Sequence, residues 1–214
     1  MSVVTLRHNR VELALHEIRS GDGRPLLLLH GLGEASPSRV PSRAEAWPGP
    51  VYGLDFTGHG ASTIPVGGGY TAEILLGDVD AAVGHLGEVT IYGRGLGGYI
   101  ALLAAGALPD RVLGAVIADG PGLTGGPTEP ISQAVVRLVE DRRPPDPYAL
   151  LELGRDLRPV DYALDFVRMA VGGSELEEPI DVAAVFRPPW LEAVAAAPGV
   201  AGLDVPEALA LYAR

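Results

Sequence analysis

The sequence predicts an α/β protein: a mostly parallel sheet of about six strands, opened by an antiparallel N-terminal hairpin, with helices on both faces. Three observations predict it. Short unbroken apolar runs such as Pro25–Leu29 have the pattern of strands covered on both sides. These runs alternate with helical patterns, and parallel neighbours need such crossovers. Beyond Ala118 the chain turns Gly/Pro-rich and then helical, which closes the sheet-forming part.

In chain order, Val3–Arg7 and Val11–Ile18 alternate at period two around His8-Asn9-Arg10, the pattern of a hairpin. Gly21-Asp22-Gly23 turns the chain into Pro25–Leu29. A polar loop and a short helical stretch near Ser42–Ala46 lead to the strand Val51–Leu54. Asp55–Gly69 reads as glycine-rich loop. Thr71 can cap a helix running to Leu86, with Leu75, Val79, Val83 and Leu86 on one face. Val89–Tyr92 reads as strand, Leu96–Leu108 as a helix stopped by Pro109, and Val112–Ala118 as strand. Gly120–Pro130 is then loop, and Ile131–Arg142, Tyr148–Arg155, Asp161–Val171 and Leu191–Ala197 have helical patterns. Gly199–Leu203 is a weak strand candidate. The expected organisation is one domain over 1–214, with a core sheet in 1–120 and a lid-like loop and helices in 121–214. If no seventh strand follows, Val112–Ala118 is an open edge, which either the later helices cover or a second copy pairs with.

Composition excludes several chemistries. The 214 residues are 47% hydrophobic and 20% charged, with a net charge of -11, which argues against nucleic-acid or anionic-membrane partners. All 16 basic residues are Arg, so Schiff-base lysines and P-loop lysines are excluded. There is no Cys, hence no thiol nucleophile, disulfide or Fe–S ligand. No signal-peptide pattern opens the chain, no window has the apolar length of a membrane span, and a cytoplasmic setting is expected. No metal or cofactor is called for.

Three segments carry a resemblance. The first is Leu26-Leu27-Leu28-Leu29-His30-Gly31-Leu32-Gly33. The second is Asp55-Phe56-Thr57-Gly58-His59-Gly60-Ala61-Ser62, and the third is Ile91-Tyr92-Gly93-Arg94-Gly95-Leu96-Gly97-Gly98, between a strand and a helix. In this order they resemble the α/β-hydrolase family: its strand and HGxG oxyanion loop, its D-x-x-G-x-G-x-S loop, and its G-x-S-x-G nucleophile elbow. The resemblance covers roughly residues 3–120. It implies an oxyanion hole formed by the Leu32 amide and the amides that open the helix after the elbow.

The departures matter as much. Gly95 stands where the family carries its nucleophile, and the family's catalytic His follows the last strand, whereas the final His here is His85. No site for the family's acid is identifiable without a seventh strand. The emptied elbow implies a pseudoenzyme or weakly active homologue that binds a small molecule, anions included, or a protein partner. Candidate ligand-binding residues are His30, Gly31, Leu32, Arg94, Gly95, Leu96 and Asp119, the last being a candidate acid at the carboxyl edge of the sheet. Asp55 is expected to pin its loop by hydrogen bonds; His8, His16 and His85 read as surface or helix residues. Two alternatives stay open. One is a hydrolase or lyase of small carbonyl or ester substrates, with a retained oxyanion hole and non-standard acid–base residues drawn from Asp119, Asp55, His30 or His59. The other is a dinucleotide binder, since Gly93, Gly95 and Gly98 satisfy G-x-G-x-x-G and Asp119 follows at suitable spacing.

Overall fold

The computed structural model describes residues 2–126 and 143–214. Eight strands form one sheet: β1 (Ser2–His8), β2 (Val11–Arg19), β3 (Leu26–Leu29), β4 (Val51–Leu54), β5 (Val89–Arg94), β6 (Val112–Ala118), β7 (Ile180–Val182) and β8 (Val200–Ala201). Their spatial order is β1-β2-β4-β3-β5-β6-β7-β8. β1 and β2 form the expected antiparallel hairpin, and β2 also runs antiparallel to β4. From β4 onward every pairing is parallel.

Parallel pairing requires crossovers, and these are supplied by helices. Thr71 caps α1 (Ala72–Leu86) by accepting the Ile74 amide through its side chain. α2 (Leu96–Ala107) leaves β5 directly, while α3 (Pro147–Arg155), α4 (Val160–Gly173) and α5 (Pro189–Ala195) precede or follow β7. α6 (Val205–Tyr212) ends the chain's regular structure. The predicted helix Ile131–Arg142 and part of the Gly120–Pro130 loop lie outside the described residues.

Strand periodicity sorts the core into two layers. Leu27, Leu29, Ile91 and Ile117 point toward the layer containing α1, α2, α4 and α5. Their alternates Leu26, Leu28, Tyr92 and Val116 point to the opposite layer, against Trp47, Leu209 and Tyr212 of the second cluster. That second face is covered by α6 and the 3-10 turn Ser42–Ala44.

Two expectations are corrected. β6 is not an edge: Ala115, Val116 and Ile117 pair with Ile180, Asp181 and Val182 of β7, and β7 pairs with β8. The premise of a second copy docking on Val112–Ala118 therefore does not hold; the sheet's outer strands are β1 and β8. Among the described residues the sheet also has eight strands, against the expected six or so. β7 and β8 span three and two residues, and β7 carries a buried Asp181 at its centre, so neither shows an apolar period. α6 was likewise not expected, although Asp204, Pro206 and Glu207 form a capping box and a first-turn proline.

Candidate functional site

The carboxyl ends of β3, β4 and β5, neighbours in the sheet, carry the three motif loops. After β5 the chain makes a sharp turn at Gly95, with φ 57° and ψ −121°, and enters α2 at once. That conformation is cheap only for glycine. The sequence reading put Gly95 at the tip of a strand-to-helix elbow, and the backbone forms that elbow.

The space above the elbow is filled by the chain itself. The carbonyl oxygen of Pro121 accepts hydrogen bonds from the amide of Leu32 at 3.0 Å and from the amide of Leu96 at 2.9 Å. These are the two donors that the resemblance assigns to an oxyanion hole, and a peptide carbonyl now occupies the position between them. The neighbouring amides are also committed: Gly95 donates to Ala118, Gly97 to His30 and Gly98 to the Gly95 carbonyl. This corrects the expectation that the amides of Leu32, Gly95 and Leu96 are open to an anion. It also removes the phosphate cradle that a dinucleotide reading of Gly93, Gly95 and Gly98 requires.

A buried cation holds the filling segment in place. Arg158, 7% exposed, donates from its guanidinium to the carbonyls of Gly122 and Leu123. Its guanidinium carbon lies 4.4 Å from the Tyr99 ring centre and 5.6 Å from that of Trp190. Trp190 adds a hydrogen bond from its indole nitrogen to the Leu123 carbonyl at 3.0 Å. Burial pulls the Arg158 pKa down to about 10, which leaves it charged at neutral pH. Arg158 and Trp190 were not among the sequence candidates, because a lone Arg and a lone Trp far from the motifs carry no pattern.

The other candidates have structural partners. His30 is buried; its Nδ1 donates to the Gly31 carbonyl at 2.8 Å, and its Nε2 accepts the Phe56 amide at 3.1 Å. Desolvation lowers its pKa to about 4, so the ring is neutral and both nitrogens are engaged. His59 is fully buried beside it, with ring centres 5.1 Å apart, and burial again favours the neutral ring. Asp55 accepts the Ser36 and Ala61 amides and pairs with His16 at 2.8 Å. His16 is thus a buried partner of Asp55, not a surface residue. Asp119 accepts the amides of Val185 at 2.9 Å and Phe186 at 3.0 Å, so it fastens the loop after β7. Arg94 pairs with Glu34 at 3.2 Å, and Glu34 also accepts the Gly31 amide.

Beside the Pro121 carbonyl and its two donors, on the α6 face of the sheet, lies a cavity of about 610 Å³. His30, Glu34, Arg43, Tyr92, Arg94 and Asp119 supply its polar lining, and Leu28, Pro37, Pro41 and Ala118 are among its apolar walls. No cluster of side chains suited to hold a metal occurs among the described residues. No helix among them is long and apolar enough to cross a membrane.

The loops where the resemblance would place the remaining catalytic groups are now identifiable. After β7 the chain reads Ala183-Ala184-Val185-Phe186-Arg187, without a carboxylate; between β8 and α6 it reads Gly202-Leu203-Asp204, without a histidine.

No protein-family model and no curated protein matches the chain significantly. Solved structures do match. The protein DcsB, in complex with its substrate analogue, aligns at a TM-score of 0.50 and 18% identity, over 59% of this chain and 48% of that one. An epoxide hydrolase from Vigna radiata aligns at 0.49 and 21%, over 60% and 41%. A haloalkane dehalogenase from Agrobacterium tumefaciens C58 aligns at 0.46 and 25%, over 55% and 40%. The chain spans less than half the length of each of these structures, and likeness at this level speaks to fold alone. The likeness to DcsB, with the strand-to-helix elbow and the mostly parallel sheet, shows an α/β-hydrolase-like fold.

Proposed function

We propose that this chain is a non-hydrolytic member of its fold, a pseudoenzyme that binds a small molecule in the cavity beside its filled oxyanion hole. The observation that carries this reading is the Pro121 carbonyl accepting both the Leu32 and the Leu96 amides. Acyl-transfer catalysis needs those donors aimed at a developing oxyanion, and it needs a nucleophile with a base in reach. Here the donors face a carbonyl of the chain itself, and Gly95 offers no nucleophile. His30 has both ring nitrogens engaged, so it is not free to act as a base at the elbow. An alternative enzyme that retains the oxyanion hole would first have to expel the segment that Arg158 and Trp190 clamp.

The test is turnover of p-nitrophenyl acetate and butyrate, together with labelling by a fluorophosphonate probe. The expected result is hydrolysis at the buffer rate and no labelled serine. Stoichiometric labelling of any serine, or saturable ester turnover, overturns the reading.

A further inference from the structure

Tyr92 is 4% exposed, yet its phenol lines the cavity and has no hydrogen-bond partner among the described residues. The hydroxyl itself opens into the cavity, where it is available to donate a hydrogen bond. Two guanidinium groups line the same cavity as this phenol. Arg94 follows it by two residues on β5, and Arg43 reaches it from the 3-10 turn; both act to lower a pKa that burial raises. Arg43 makes no ion pair among the described residues.

The cavity's two carboxylates are already engaged. Asp119 holds two backbone amides with its two oxygens, and Glu34 holds the Gly31 amide and Arg94. What remains free is hydrogen-bond donation, from Arg43, from the unused N–H groups of Arg94 and from the Tyr92 hydroxyl. Paired guanidinium groups with a hydroxyl donor suit an oxyanion. The apolar walls at Leu28, Pro37, Pro41 and Ala118 suit a hydrocarbon body, and about 610 Å³ holds a small organic molecule.

We propose that this cavity binds a small organic anion, its carboxylate or phosphate held by Arg43, Arg94 and Tyr92 and its apolar body against Leu28 and the two prolines. The proposal rests on the binding role above and names the ligand class for it. The Glu34–Arg94 bridge is then an internal substitute that the ligand's anionic group displaces or shares.

Titration of the full chain with benzoate, phenyl phosphate and the neutral analogue benzyl alcohol, at constant ionic strength, tests this by calorimetry. Saturable binding of benzoate, of phenyl phosphate or of both is expected, with benzyl alcohol at least about tenfold weaker. Benzoate alone identifies a carboxylate ligand, and phenyl phosphate alone a phosphate ester. Arg43→Gln, at an exposed position, should weaken binding about tenfold, and Tyr92→Phe several-fold, with melting curves showing that both variants fold. Glu34→Gln should tighten binding by releasing Arg94. Failure of both anions to saturate, equal binding of benzyl alcohol, or an unchanged affinity in Arg43→Gln overturns the proposal. Ester turnover in the same samples separates the two readings: no binding with no turnover defeats this inference and leaves the non-hydrolytic reading standing.

Discussion

A side-chain carbon built on Gly95 would stand 2.1 Å from the carbonyl oxygen of Pro121. No real side chain tolerates that approach, so the residue at the elbow and the segment that fills the space above it are mutually dependent. Glycine is required here twice over, by the positive φ and by the carbonyl. The glycine at position 95 is thus fixed by a packing relationship with Pro121.

Gly95→Ser should therefore destabilise the protein rather than awaken it. Displacing Pro121 and forcing a side chain into that backbone conformation costs about 2–4 kcal/mol. For a chain of this size the melting temperature should fall by roughly 5–15 °C, read by calorimetry. Ester turnover should stay at the buffer rate, because both ring nitrogens of His30 are engaged and Pro121 holds the Leu32 and Leu96 amides.

Arg158→Met removes the donors to Gly122 and Leu123 while keeping much of the apolar stem. Trp190 still holds one of the two carbonyls. A loss of about 2–4 kcal/mol in chemical denaturation is expected. An unchanged midpoint would mean that the filling segment does not depend on this cation.

Asp181 gives a pH dependence. It is fully buried in β7, its Oδ1 accepts the Leu203 amide at 2.8 Å, and its Oδ2 has no partner. Burial raises its pKa to about 6. The folded state therefore holds this proton more tightly than the unfolded chain. Its contribution is most favourable below about pH 4, falls as pH rises through 6, and stays unfavourable above that. Asp181→Asn should be more stable than the parent at pH 8 by about 1–2 kcal/mol, a gap that closes toward pH 4. The gain is smaller than the pKa displacement implies, since the new NH₂ also lacks a partner. A constant gap across pH 4–8 would contradict this account.

Asp119→Ala tests whether that carboxylate is a fastener. The amides of Val185 and Phe186 should lose protection from hydrogen exchange, and the loop after β7 should become sensitive to proteolysis. Stability should fall by about 1–2 kcal/mol. Unchanged exchange at those two amides would return Asp119 to the list of free acids.

Much of the fold was legible because it is local. The Leu26–Leu29 run, the Thr71 cap and the glycines flanking Arg94 each fix nearby backbone, and all three stand where the pattern placed them. β7 was not legible, since three residues with a buried Asp181 at the centre cannot show a period and their pairing is set by distant β6, whereas β8 falls within the weak candidate Gly199–Leu203. The site was half legible for a related reason. The elbow and its donors follow from motif residues, but what they bond to is a backbone carbonyl at Pro121, and every residue has a carbonyl. The clamp by Arg158 and Trp190 is likewise a tertiary event without a sequence period. His16 read as a surface residue because its partner, Asp55, is brought to it only by the β2–β4 pairing.

The central claim, that the Pro121 carbonyl holds both the Leu32 and the Leu96 amide, is tested most directly by residue-resolved hydrogen exchange at those two amides. Both should be protected about a thousandfold or more, exchanging only when the clamped segment opens. Protection should fall together at both amides in Arg158→Met. Exchange at either amide within about tenfold of an unstructured peptide would show donors open to solvent, and would contradict the account.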